Sequence, residues 1–391
     1  MKVLLGIDTW YPKFDGVVIA TENYCKYLNE GGESKVVVPD YKDKAEAAAH
    51  GEHAIFTKTL RLPIFKGYAC PMPKLDRALE KEISDGGYDV LHAHSPFTIG
   101  EYFVKMGKKY HIPTAYTFHT KYKDEFEARF KTKIIPNYLM KRIIRTISSF
   151  DYVFAVSEGS AETLKSYGYK GDIKVIRNGT DLTSPRGREE SELVADVNEQ
   201  FDLFGVPNVF LYVGRLVEVK NIPFSLEVMK KLKDGGLKFK FLIAGEGEEK
   251  ELLEEKISEL DLGDEVKLIG NIENRDVLQG LYLRSDLFLL PSVFDNASLT
   301  IIEAASEKLP SIVPVGSSIS EVIKDGKNGF TEELSVDKWA ERIKEILIDK
   351  QKLALIGGNA SRTVYRSWKD VVEEVKVEYS RIIEEYSRGN K

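Results

Sequence analysis

The chain has 391 residues, 42% of them hydrophobic and 30% charged, an ordinary balance for a globular protein and more length than one hydrophobic core usually supports. Its net charge of −6 argues against a general nucleic-acid binder, which favours a basic surface. Two cysteines, Cys25 and Cys70, with no Cys-X-X-Cys pair, exclude a disulfide framework and a cysteine-rich zinc site.

The apolar run that opens the chain is too short for a secretory signal and ends at Asp8. No segment reaches the roughly 20 apolar residues needed to span a bilayer. The expectation is a cytoplasmic protein, with peripheral attachment to the inner face of the membrane left open. Short runs rich in β-branched and aromatic residues follow at Val3–Ile7, Ser34–Val38, Val90–His94, Thr114–Phe118, Tyr152–Val156 and Ile173–Ile176. Helical patterns lie between several of them, at Thr21–Asn29, Leu75–Ile83 and Glu101–Tyr110. Strands alternating with helices imply a parallel sheet with right-handed crossovers. Beyond Asn178-Gly179 the chain turns polar, with Pro185, Gly187, Glu189, Glu190 and Glu192, and reads as a linker. A second alternation then runs through Val209–Val213, Phe239–Ala244, Val266–Ile269, Leu287–Leu290 and Ser311–Val315. The last stretch, Trp368–Ser387, carries a broad apolar stripe (Val371, Val372, Val375, Val377, Tyr379, Ile382, Ile383, Tyr386), which predicts a packed terminal helix rather than a coiled coil. The expected division is an α/β domain over 1–183, a linker over 184–206 and a second α/β domain over 207–368. The terminal helix, about 369–391, is expected to pack back on the first domain. Both sheets are expected to be doubly wound, with ligands beyond the carboxyl ends of their strands.

The most telling stretch is Pro291 to Ala304. A buried strand stops at Pro291, a turn carries Asp295, Asn296, Ala297 and Ser298, and a helix beginning near Leu299 carries Glu303. Unpaired backbone N–H groups at such a helix start favour an anion, and flanking carboxylates suit hydroxyls. A ligand with both, such as a nucleotide sugar, fits; a plain N-cap at Asp295 and a solvated Glu303 would also account for the pattern. Gly214-Arg215 ends the first strand of the second half, and Lys220 follows in a loop, a fork and a point charge suited to a diphosphate. Gly245-Glu246-Gly247 lacks the third glycine of a dinucleotide fingerprint, because position 250 is lysine. Gly16, in the loop before a helix expected to begin near Ala20, permits close approach of a ligand or is an ordinary turn glycine.

His119 ends an apolar strand, and His92 and His94, two apart on another, project to one side. Polar cleft or core histidines account for them; a His-X-His pair also suggests metal, but no third ligand is close in sequence and no Asp-X-Asp is present to hold a divalent ion. The one pronounced basic stretch, 121–145, contains Lys121, Lys123, Lys141, Arg142 and Arg145 among Phe126, Phe130, Ile134, Ile135 and Tyr138. It suits docking on an anionic membrane, or is an amphipathic helix packed on its own sheet.

Taken in order, Tyr11-Pro12…Gly16-Val17, Asp89 to Pro96, Thr117-Phe118-His119-Thr120, Val156-Ser157, Arg177-Asn178-Gly179, Tyr212 to Leu216 with Lys220-Asn221, Ala244 to Gly247 and Pro291 to Glu303 resemble the retaining nucleotide-sugar glycosyltransferases of family 4. The resemblance implies the GT-B architecture, two Rossmann-like domains facing a central cleft, and hexosyl transfer from a nucleoside diphosphate sugar such as UDP-glucose to an acceptor hydroxyl. It implies Glu303 on the ribose hydroxyls, Asp295 on the donor hexose, Arg215 and Lys220 on the diphosphate, Gly16 beside the phosphates and His119 near the transferred sugar. Asn296-Ala297-Ser298 stands where the family often has Gly-Phe-Gly, its backbone amides still able to serve the donor together with Leu299, and Gly214 is placed on the donor side as well. No metal or other cofactor is implied, the two cations taking that place. His94 to Gly100 and Phe118 to Tyr122 are similar to the diacylglycerol glucosyltransferases of that family, which implies a lipid acceptor on the side of the basic stretch. The alternatives are a glycan or soluble acceptor, a nucleotide-sugar epimerase, and a two-domain sugar-binding protein without chemistry.

Overall fold

The computed structural model describes residues 1–11, 15–41, 50–61, 69–123, 126, 134–183, 187–293 and 298–389. The chain divides into two units, Met1–Asn178 with Trp368–Lys391, and Gly179–Ser367.

The first unit runs β1 (Lys2–Gly6), α1 (Gly16–Leu28), β2 (Glu33–Pro39), β3 (Ala54–Thr57), a small antiparallel pair β4 (Thr59–Arg61) and β5 (Ala69–Pro71), α2 (Arg77–Asp85), β6 (Val90–Ala93), α3 (Thr98–Tyr110), β7 (Thr114–Phe118), α4 (Ile134–Ile147), β8 (Tyr152–Ala155), α5 (Glu158–Ser166) and β9 (Lys174–Val175). Its main sheet has the order β3-β2-β1-β6-β7-β8-β9, and all its pairings are parallel. β6 and β7 are buried along their whole length, as expected of central strands covered on both faces. The edge strand β3 leaves little mark in the sequence because it is only four residues long and Phe56 faces solvent. α1 begins at Gly16 rather than Ala20, because the Asp15 side chain caps it, accepting from the Val17 and Val18 N–H groups at 2.9 and 3.1 Å.

The second unit runs α6 (Glu190–Phe201), β10 (Val209–Val213), α7 (Ile222–Asp234), β11 (Lys240–Ala244), α8 (Lys250–Glu259), β12 (Val266–Gly270), α9 (Arg275–Arg284), β13 (Leu287–Leu289), α10 (Leu299–Ser306), β14 (Ser311–Pro314), β15 (Phe330–Glu332), α11 (Val336–Ile348) and α12 (Lys350–Thr363). Its parallel sheet has the order β12-β11-β10-β13-β14-β15. The segment 184–206, expected as a linker, is instead mostly helix. Leu193, Val197 and Phe201 recur every four residues along α6 and are buried in the core of this unit. Gly280 on α9 makes the approach possible, since a Cβ there would lie 2.6 Å from the Leu193 carbonyl oxygen. The charged residues that suggested a linker, Glu190 and Glu192, occupy the first turn of α6, where acidic groups suit the helix dipole.

The chain then returns to the first unit as α13 (Trp368–Gly389). Val371, Val375, Tyr379 and Ile382 are buried, whereas Val377, counted in the apolar stripe, is 68% exposed and lies on the other side. Tyr379 reaches the sheet: its hydroxyl shares a 2.5 Å hydrogen bond with His92 Nδ1, whose Nε2 is bonded to Thr117 Oγ1 at 2.8 Å. Both ring nitrogens of a fully buried histidine are thereby satisfied. Burial lowers the His92 pKa to about 3 and holds the ring neutral. Tyr379→Phe strands one of these nitrogens, so it should destabilise the first unit by about 1–3 kcal/mol, read as a lower urea midpoint; an unchanged midpoint would show that the bond does not hold α13 down.

Candidate functional site

In each sheet the direction of winding reverses once, between β1 and β6 and between β10 and β13. Crevices at the carboxyl ends of strands flanking such a reversal are the usual ligand sites of open α/β sheets. Two of the motifs singled out from the sequence leave the second sheet at this point, Gly214-Arg215 from β10 and Pro291-Ser292 from β13.

The backbone after β10 lies flat on the backbone after β11. Gly214 N–H donates to the Ala244 carbonyl at 3.0 Å, Leu216 N–H to Glu246, and Glu249 N–H back to Leu216. A Cβ on Gly245 would fall 1.9 Å from the Gly214 carbonyl oxygen, and one on Gly247 2.1 Å from that of Leu216. These two glycines therefore shape the cation loop rather than forming a dinucleotide fingerprint. Arg215 is exposed, and its carbonyl accepts from the Tyr212 hydroxyl at 3.0 Å. Lys220 is half-buried at the end of a short 3-10 turn, Glu218–Lys220. The turn is fastened to the chain leaving β13: Ser292 Oγ donates to the Val219 carbonyl at 2.9 Å, and Asn221 Nδ2 to the Pro291 carbonyl at 3.5 Å. Two motifs some seventy residues apart are thus one structural feature.

Asp295, Asn296 and Ala297 lie outside the described residues. Ser298 takes the N-cap position of α10, its hydroxyl bonded to Thr300 Oγ1 at 2.7 Å, and Leu299 is the first helical residue. Glu303 is no solvated helix residue, for its side chain is only 13% exposed. One carboxylate oxygen accepts from the Tyr282 hydroxyl at 3.0 Å, and the other lies 3.6 Å from Arg275 Nη1. Burial raises its pKa, while Arg275 and Tyr282 act in the opposite sense. With these partners fixed, the carboxylate retains acceptor capacity for ligand hydroxyls. Neither partner was legible in the sequence, because both lie on α9 and meet Glu303 only in the folded chain.

At the reversal in the first sheet, Asp8 follows β1 and closes the start of α3. Its carboxylate accepts from Ser95 Oγ, Thr98 Oγ1 and Ile99 N–H at 2.5, 2.6 and 3.1 Å. Burial raises its pKa against these bonds. His94 follows β6 and His119 follows β7; His94 Nδ1 and His119 Nε2 are 2.9 Å apart. Burial lowers the pKa of His119 to about 3. The His92 and His94 rings do share a side, with centroids 4.4 Å apart. Among the described residues no three His, Cys, Asp or Glu side chains are grouped as metal ligands. Gly16 is the first residue of α1 and exposed, but two N–H groups of that turn are already engaged by Asp15.

Of the basic stretch, 124, 125 and 127–133 lie outside the described residues. Lys121 and Lys123 are half-buried. On α4, Met140, Ile143 and Ile147 pack into the core, as the alternative to membrane docking required, yet Ile135 and Tyr138 face solvent. Lys141, Arg142 and Arg145 are exposed and line, with Tyr138 and Glu101, a cavity of about 450 Å³. Arg142 is held by Glu101 at 2.7 Å. Among the described residues no helix is long and apolar enough to cross a membrane.

Comparison with known proteins covers the same two halves. The profile of "Glycosyltransferase Family 4" matches residues 14–184, and that of "Glycosyl transferases group 1" matches residues 196–363. The alpha-monoglucosyldiacylglycerol synthase of Acholeplasma laidlawii is 25% identical, over 96% of this chain and 94% of its own. The sulfoquinovosyl transferase SQD2 of Arabidopsis thaliana is 23% identical, over 93% of this chain and 70% of its own. Among solved structures, Anabaena Alr3699/HepE in complex with UDP-glucose superposes with a TM-score of 0.76 over 97% of this chain and all of its own, at 18% identity, a likeness of fold. With a glycosyltransferase profile on each half and a transferase relative along nearly the whole length, the chain is a hexosyltransferase belonging to glycosyltransferase family 4, of GT-B fold.

Proposed function

We propose that the protein moves a hexosyl group, with retention, from a nucleoside diphosphate sugar to the hydroxyl of a membrane lipid of the diacylglycerol kind. The observation that carries this reading is the junction at the β10/β13 reversal. There the loop bearing Arg215 and Lys220 is fastened to the segment that leads into Glu303. Cations for a diphosphate thus lie on a loop fastened to the end of β13, and a fixed carboxylate for ribose hydroxyls follows on α10. UDP-glucose is the donor assigned, supported by the family resemblance and by the ligand of the Anabaena structure.

In this assignment Arg215 and Lys220 stabilise the charge that grows on the departing diphosphate, with no metal or cofactor, because preorganised cations act where charge develops. Gly16 and Gly214 give the phosphates close approach to backbone. Ser298, Leu299 and the turn residues Asn296 and Ala297 offer amides, and Asp295 faces the hexose. His119 of the first unit attends the transferred sugar. The bond from the anomeric carbon to the diphosphate breaks, the bond to the acceptor oxygen forms on the same face, and the acceptor proton passes to the departing phosphate oxygen.

The lipid acceptor is favoured over a glycan by α4, where Ile135 and Tyr138 face solvent beside Lys141, Arg142 and Arg145. Lys121 and Lys123 precede this helix and add to the basic side. Apolar groups beside cations suit an anionic bilayer surface, and the diacylglycerol named for the Acholeplasma relative agrees in kind. Cytoplasmic, peripheral attachment to the inner face of the membrane follows from this acceptor.

Three outcomes test the reading. In a thermal-shift screen of UDP-, GDP- and ADP-sugars, UDP-glucose at a hundredfold excess over its dissociation constant should stabilise the protein by about 2.7 kcal/mol. Glu303→Ala should abolish that shift; a shift that survives it removes Glu303 from the donor site. Arg215→Ala should lower kcat by about 10²–10³, and a near-normal rate would end its assignment. Co-sedimentation with vesicles should rise with anionic lipid content and fall in a Lys141→Glu, Arg145→Glu double variant, at about 1 kcal/mol per basic residue. Indifference to anionic lipid would favour a soluble or glycan acceptor.

A further inference from the structure

The histidines after β6 and β7 carry information about where protons lie. His94 Nδ1 and His119 Nε2 are 2.9 Å apart, and the rings are stacked with centroids 5.2 Å apart. Tyr24 meets His94 edge-on at 5.0 Å. The other ring nitrogen of His94, Nε2, is buried and has no hydrogen-bond partner among the described residues. Burial lowers the pKa of both rings, so both are neutral, each with one N–H and one lone pair. One proton therefore lies in the contact between them, and it belongs either to His94 or to His119.

The unpartnered nitrogen decides which. A proton on His94 Nε2 would leave a buried N–H without an acceptor, a rarer arrangement than an unsatisfied lone pair. With the lone pair at Nε2, the His94 proton sits on Nδ1 and is donated to His119 Nε2. His119 then accepts at Nε2 and must carry its own proton on Nδ1, since the bond made by one ring nitrogen sets the state of the other.

We infer that His94 is a positioning residue that fixes His119 as the Nδ1–H tautomer, so that His119 meets an oxygen of the donor sugar as a hydrogen-bond donor. The encounter with the sugar rests on the reading of His119 given above; the tautomer does not. There is a consequence for proton transfer. With Nδ1 protonated and Nε2 occupied by His94, His119 has no lone pair with which to take the acceptor's proton. That proton goes to the departing phosphate oxygen as the anomeric carbon exchanges its phosphate oxygen for the acceptor oxygen, and His119 remains neutral throughout.

The test is two-bond nitrogen–proton correlation spectroscopy on the full chain labelled with ¹⁵N-histidine, which separates protonated from bare ring nitrogens. Wild type should show Nδ1 protonated and Nε2 bare in both rings. His94→Phe should release His119 from the single Nδ1–H form and lower kcat on the order of tenfold, the value of one hydrogen bond. His94→Asn, whose amide N–H falls near the place of Nδ1, should restore the Nδ1–H form and recover most of the lost turnover. A wild-type His119 protonated at Nε2, or an Nδ1–H form that persists in His94→Phe, overturns the inference. A tautomer that shifts in His94→Phe with turnover unchanged overturns its functional half, together with the placement of His119 beside the sugar, and leaves the tautomer lock standing.

Discussion

Each sheet reverses its winding once, and the groups able to meet a ligand are arranged around those two points. Strands on either side of a reversal send their crossovers to opposite faces, so no helix closes over their carboxyl ends. The chain leaving β10 must then find backbone partners elsewhere, and it finds them in the chain leaving β11, on glycines that allow contact without side chains. The chain leaving β13 is tied in turn to the 3-10 turn after β10 by Ser292. Position and rigidity of the cation loop therefore follow from topology and backbone satisfaction, and only the identity of Arg215 and Lys220 is left to chemistry.

The central strands were legible because continuous burial writes itself as unbroken apolar runs, and β7 and β10 have the bounds read from the sequence. What misled the reading was local polarity. α6 looked like a linker because its glutamates precede Leu193, Val197 and Phe201, whose partner surface on α9 becomes available only through Gly280. The same division holds in the site. Glu303 stands out in the sequence because strand, turn and helix are contiguous there. Tyr282 and Arg275, which orient it, and Ser292, which joins the two motifs, act across elements and leave no local spacing. Asp15 stood in plain view, yet its capping role depends on where α1 begins.

The two units handle charge differently. In the second, Arg215 is exposed and Lys220 half-buried, and the Glu303 carboxylate is enclosed with a hydroxyl and a guanidinium as partners. Glu303 is held in one orientation by the Tyr282 hydroxyl and the Arg275 guanidinium. In the first unit the buried ring groups are neutral: His92 between Tyr379 and Thr117, and His94 against His119. Its one deeply buried carboxylate in this region, Asp8, is consumed by the start of α3. An environment of neutral donors and acceptors suits sugar and alcohol oxygens, which carry no net charge until the transfer itself.

The terminal helix completes this arrangement from the far end of the chain. Tyr379 satisfies His92, the histidine whose ring lies 4.4 Å from that of His94. Without it, His92 would have a nitrogen in the core seeking a partner, and the nearest polar ring is the one that holds His119. The helix thus does more than cover an apolar surface: it fills one hydrogen-bonding position on a buried ring that lies against the one holding His119.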